Sequence, residues 1–147
     1  MSTYSFLDTQ ATINGPGGSF NIGSGAAVAE EGITIEPNGD KNTMTIGSDG
    51  AGMHSLHADK SGTITVRLLK TSPMNALLMA MYDLQQLSSS TWGQNVIEIN
   101  NPVIGENNGC RGVAFKKKPT LVYAKEGGMN EWTFDAIAID SILGTYN

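Results

Sequence analysis

Cysteine occurs once in 147 residues, as Cys110. That excludes an internal disulfide framework and any multi-cysteine metal site. Histidine is almost as scarce, with only His54 and His57. Charged side chains make up 16% of the chain against a usual ~25%, so most polar positions are neutral. No apolar run approaches the length of a membrane span. The longest, Met74 to Leu84, is interrupted by Asn75, Tyr82 and Asp83, and no membrane anchor is expected. The first ten residues, MSTYSFLDTQ, lack the basic segment and apolar stretch of an export signal, which predicts a protein made and kept in the cytoplasm. Nine Lys and Arg against fourteen Asp and Glu give a formal net charge of −5. The one basic run, Lys116-Lys117-Lys118, has only Phe115 beside it as an aromatic neighbour. Nucleic-acid grooves are built otherwise.

What is plentiful is glycine, with 18 residues, about 12% against a usual ~7%. Short alternating segments recur between turns, as in a turn-rich β protein. Tyr4–Leu7, Ala11–Ile13, Ser19–Ile22, Ile33–Ile35 and Thr43–Ile46 read as strands, with a strong turn at Asn14-Gly15-Pro16-Gly17-Gly18 and another at Pro37–Asp40. Gly23 to Gly32 reads as a small-residue, acidic connection. Thr63 to Leu69 alternates most cleanly, placing Ile64, Val66 and Leu68 on one face. Val96–Ile99, Arg111–Lys116, Leu121–Ala124 and Glu131–Asp140 complete the set. In the last of these the apolar phase moves from Trp132, Phe134 and Ala136 to Ile137 and Ile139, which predicts a bulge or a strand end buried on both sides.

One helix is expected, over about residues 73–87. Ser72 suits the N-cap and Pro73 the first helical position. Met74, Leu77, Leu78, Met81, Leu84 and Leu87 follow at helical spacing, while Asn75, Asp83, Gln85 and Gln86 lie off that stripe. Leu77, Leu78 and Met81 are therefore expected to be buried against sheet. The fold class is mainly β, an antiparallel β-sandwich or barrel with one flanking helix, in a single domain spanning 1–147. A long loop is expected at about 47–60, because GSDGAGMHSLHADK shows no sustained periodicity. Connections of that length inside compact domains are usually functional or ordered by a partner.

Chemistry is thin. His54, His57 and Asp59 are the only conceivable metal-ligand set, and they fall in that loop without a rigid element or a third strong ligand. Cys110 sits in Asn107-Asn108-Gly109-Cys110-Arg111, which does not resemble an activated nucleophile elbow. Gly15, Gly17, Gly18, Gly23 and Gly25 imitate a phosphate loop but lack the framing buried strand and helix. Glu30 and Glu31 are adjacent, so on an extended chain their side chains diverge. Met74, Met79 and Met81 read as core filler. No enzyme, cofactor or metal site is expected.

Several long strings carry a resemblance: MSTYSFLD, GPGGSFNIGSGAAVAEEGITIE, DKNTMTIGSDGAGMHSLHADKSGTITVRLLKTSPMNALL and YAKEGGMNEWTFDAIAID. Together they cover nearly the whole chain, which resembles the tail tube proteins of contractile-tailed bacteriophages. The resemblance implies a β-sandwich or barrel flanked by a helix, forming hexameric rings that stack into a hollow tube. It implies that neighbouring subunits continue each other's sheets around a lumen through which DNA passes without specific binding. It also implies a long loop reaching from one ring to the next, for which residues 47–60 are the candidate, with Met53, His54, Leu56 and His57 as inter-ring contacts. Tail sheath, baseplate and tape-measure proteins are the further partners expected. The location expected is the virion tail, assembled in the host cytoplasm.

The charge distribution suits self-assembly. Residues 1–59 hold seven acids and one base, Lys41, whereas residues 60–130 hold eight bases and four acids. Such asymmetry permits head-to-tail docking between copies, or pairing within the monomer. Other readings remain open at this point: a tube initiator or terminator ring, or a small carbohydrate-binding β-sandwich with Trp92 as its platform.

Overall fold

The computed structural model describes residues 2–25 and 28–146, with only the backbone of Ala29, Glu30 and Glu31. Ala26 and Ala27, within the acidic connection, and the Glu30 and Glu31 side chains thus lie outside what is described. Nine strands and one helix follow in order among the described residues: β1 Gln10–Gly15, β2 Gly18–Asn21, β3 Val28–Pro37, β4 Asn42–Ile46, β5 Gly52–Leu56, β6 Gly62–Leu69, α1 Met74–Gln85, β7 Asn95–Asn101, β8 Glu106–Lys117 and β9 Met129–Ile142. Seven strands form one sheet in the order β2-β1-β7-β8-β9-β6-β3, and β4 pairs only with β5. Every strand pairing is antiparallel.

Alternation dictates which side of the sheet is dry. Ile64, Val66 and Leu68 of β6 are buried, as are Trp132, Phe134 and Ala136 of the adjacent β9. Ala11 and Ile13 of β1 and Ile97 and Ile99 of β7 join the same core from the other end of the sheet. The two halves therefore enclose one core, a sandwich, while β2 and β3 remain its edges and leave the barrel unclosed. On the outer side, Arg67 of β6 pairs with Glu131 at 3.3 Å and donates to Thr34 Oγ1 at 2.9 Å. Phe115 ties the layers together, with ring centroids 4.9 Å from Phe134, 5.9 Å from Trp132 and 5.6 Å from Tyr82 of the helix.

The helix spans Met74–Gln85, shorter than the expected 73–87, with Pro73 at its N-cap position and Leu87 exposed beyond its end. Ser72 Oγ accepts the Met74 N–H at 3.3 Å, satisfying one of the orphan donors of the first turn. Its buried face, however, is centred on Leu78, Met81 and Gln85. Leu77 is 38% exposed and Leu84 46%, so the burial expected for Leu77 is overturned. Two polar side chains rotate the helix to this phase. Asn75 Oδ1 accepts the Trp132 indole N–H at 3.0 Å. Gln85 and Asn95 exchange a reciprocal amide pair at 2.7 and 2.9 Å, and Gln85 also donates to the Pro16 carbonyl at 2.8 Å. Gly15 leaves room for that pair, since a Cβ there would overlap the Asn95 side-chain oxygen.

Other readings also shift. Tyr4–Leu7 is not a strand; Phe6–Asp8 forms a single 3-10 turn, with Ser5 Oγ accepting the Leu7 N–H. Strand β3 starts within the stretch expected to be a connection, and its register slips between Val28 and Ile33, where Gly32 takes φ +67°. The phase change in β9 is real at Ile139, which packs against the core, whereas Ile137 is 74% exposed. The accompanying irregularity lies in β8, where the register to β7 slips between Asn95 and Ile97 and Gly112 adopts φ +62°. Leu121–Ala124 forms no strand. No helix among the described residues is long and apolar enough to cross a membrane.

Candidate inter-subunit surface

The stretch expected as a loop over 47–60 contains a strand. Residues 52–56 pair with 42–46, from Asn42 opposite Leu56 to Ile46 opposite Gly52. The periodicity was hidden by small residues and by the hairpin's lack of a buried face. The turn is closed by Gly47 N–H to the Ala51 carbonyl at 2.7 Å and by Asp49 Oδ1 accepting the Ala51 N–H at 3.0 Å. Gly50 occupies φ +87°, a conformation that side-chain-bearing residues rarely adopt. At the base, His57 N–H bonds the Lys41 carbonyl, and Lys41 Nζ reaches the Asp59 carbonyl at 3.3 Å. Asp59 is held below the ordinary carboxylate pKa by hydrogen bonds from the Ser61 side chain and backbone.

This hairpin is bare. All ten of its strand residues are exposed except Ser55, which is half-buried. Opposed residues of an antiparallel pair share a face, so the register sorts its side chains into two sets. One face carries Asn42, Met44, Ile46, His54 and Leu56; the other carries Thr43, Thr45, Met53 and Ser55. The four residues expected to act together are therefore divided. Leu56 and His54 lie on the first face, and Met53 lies on the second. His57 joins the second face through Thr43 Oγ1 at 2.7 Å, while His54 Nδ1 engages Asn42 at 3.1 Å on the first. The two imidazoles do not converge, and no group of three metal-capable side chains is found among the described residues.

Met44 and Ile46, at 59% and 56% exposed, sit on the same face as Leu56, which is 82% exposed. Both fall in the strand expected over Thr43–Ile46. The signal was present in Asn42-Thr43-Met44-Thr45-Ile46, whose alternation defines an apolar face. A two-stranded hairpin is marginal in water unless something covers it.

Elsewhere the candidate chemistry is structural. Cys110 is fully buried, and burial pushes its thiol up to about 11, away from the thiolate form that nucleophiles need. Lys116, Lys117 and Lys118 are exposed at the end of β8. Trp92 is half-buried, its ring edge-on to Tyr82 at 6.0 Å, and presents no open stacking platform for a sugar.

The fold of an open antiparallel sandwich with one flanking helix is shared with chains of contractile injection systems. A sheath/tube terminator of an extracellular contractile injection system (PVC), in the extended state, superposes with TM-score 0.61 at 13% identity, covering 97% of this chain and 99% of that one. The tube-terminating cap of the anti-feeding prophage gives 0.55 at 13% identity over 97% and 93%. A chain of the six-fold symmetrised anti-feeding prophage baseplate gives 0.61 at 10% identity over 97% of both. No curated protein matches the sequence significantly. The family model described as "Bacteriophage PhiTE tail tube protein" matches residues 1–144, and the chain belongs to that family. It is a structural protein of the phage tail and not an enzyme.

Proposed function

We propose that the chain is the repeating subunit of the tail tube, assembling with copies of itself into stacked, six-fold rings around a channel for DNA. The observation that carries this reading is the β4–β5 hairpin, an arm with Met44, Ile46 and Leu56 exposed on one face and not covered by any of the described residues. Within a tube, the adjacent ring supplies that cover. Met53, His54 and His57 flank the same arm and complete the contact. The two open sheet edges, β2 and β3, face neighbours within the ring. A net charge of −5 with few charged residues suits a lumen that repels phosphate and lets DNA pass without binding it. Sheath and baseplate, present in the assemblies of its structural neighbours, are the partner classes this role requires, together with a tape-measure protein inside the lumen. Assembly takes place in the host cytoplasm, and the tube ends in the virion.

A ring that caps or starts the tube is the second reading, favoured by the likeness to a tube terminator and a terminating cap. Negative-stain electron microscopy of the concentrated, purified protein separates the two. Hollow tubes or stacked rings support the tube subunit. Single rings that never stack favour the terminal ring, and monomers at every concentration overturn both.

A further inference from the structure

Resting on the ring reading, we propose that Leu121–Ala124 of one subunit adds as a strand to the open edge of β3 in the neighbouring subunit. Three observations converge. The first is a strand edge with room beside it. The regular part of β3, Ile33 to Pro37, pairs with β6 on one side, and β3 ends the sheet on the other. A cleft of about 640 Å³ lies between Ile33 and Ile35 of β3 and Ile99 and Asn100 of β7, with Tyr4 and Tyr146 at its wall. A second, of about 550 Å³, shares Ile35 and Asn108 with the first, so the groove runs on towards Pro37. The side-chain oxygen of Asn100, in the lining of this cleft, is buried with no hydrogen-bond partner among the described residues.

The second is a strand without a sheet. Leu-Val-Tyr-Ala has the composition of a strand, yet residues 121–124 form none. Among the described residues they make no hydrogen bond to another backbone group outside the regular elements. Their exposure is large, 63% at Val122 and 84% at Tyr123. Lys70 anchors the exposed segment to its own subunit, donating to the Val122 carbonyl and lying 4.0 Å over the Tyr123 ring. Four residues match the length of Ile33 to Glu36.

The third is charge. Residues 116–126 hold four lysines, Lys116, Lys117, Lys118 and Lys125, and one acid, Glu126. Residues 28–40 hold Glu30, Glu31, Glu36 and Asp40 and no base. The occupant is therefore a second copy of this chain, docked head-to-tail. Main-chain hydrogen bonds give such a contact its strength, and the lysines select the acidic edge.

The test is a mixed-chain cross-link in a Cys110→Ala background. Chains carrying Thr34→Cys are co-assembled with chains carrying Val122→Cys and treated with a short bis-maleimide. Both positions are exposed and neither side chain is part of the core. The proposal expects a dimer band several-fold stronger than with a control pair of Asp83→Cys and Val122→Cys, weakening as salt is raised before assembly. Rings or tubes that form without that selective band overturn this contact and leave the ring reading standing. If the unsubstituted chain remains monomeric at every concentration and no selective band forms, both fail together.

Discussion

Leu77 and Leu78 are adjacent in sequence and differ in what they hold. Leu78 is fully buried beneath the helix, while Leu77 looks outward. Leu78→Ala is expected to cost about 2–5 kcal/mol, and Leu77→Ala to stay within about 0.5 kcal/mol of zero, both measured by denaturant melts. Gln85 behaves as a core residue despite its amide. Gln85→Ala strands the Asn95 amide and the Pro16 carbonyl, costing about 1–3 kcal/mol. A double-mutant cycle with Asn95→Ala should show coupling between the two. Cys110 contributes to the pH dependence of stability on the alkaline side. Its folded pKa is raised from 9.0 to about 11 by desolvation, so the unfolded chain loses the thiol proton first. The stability it contributes is complete below pH 9 and lost as pH rises towards 11. Cys110→Ala should flatten thermal stability across that window and leave assembly intact.

At the scale of elements, the strands that bury one clean face were legible in the sequence. β6 shows Ile64, Val66 and Leu68 at every second position, and the structure buries all three. Elements set by polar partners were not. The phase of the helix depends on Trp132 finding Asn75 and on Asn95 finding Gln85, pairings across long sequence separations that no local pattern announces. The hairpin was half legible. β4 was readable from alternation, but β5 starts within Gly50-Ala51-Gly52, and neither of its faces is buried to enforce a period. Met44 and Ile46, on the face that the alternation of β4 defines, join Leu56 as exposed apolar side chains of the hairpin. The hairpin prediction follows from the full face. Replacing Met44, Ile46 and Leu56 with serine should leave a folded subunit whose rings stack poorly or not at all. Met53→Ser, on the other face, should weaken stacking less. Sedimentation velocity reads the assembly, and circular dichroism checks that the subunit remains folded.

For the whole molecule, the same features that leave the monomer incomplete suit it to a tube. It has two unclosed sheet edges, an uncovered arm and a strand-like segment outside any sheet. Its acids gather in the first part of the chain and its bases in the middle, so head-to-tail contacts between copies are electrostatically favoured. Stacking of rings through the β4–β5 arm is tested by hydrogen exchange on its amides, compared between dilute monomer and concentrated assembly. Exchange is expected to be fast across Asn42–Ile46 and Gly52–Leu56 in the monomer and strongly slowed in the assembly. Equal exchange in both states, with tubes present on the grid, would contradict it, because the arm would then carry no contact between rings.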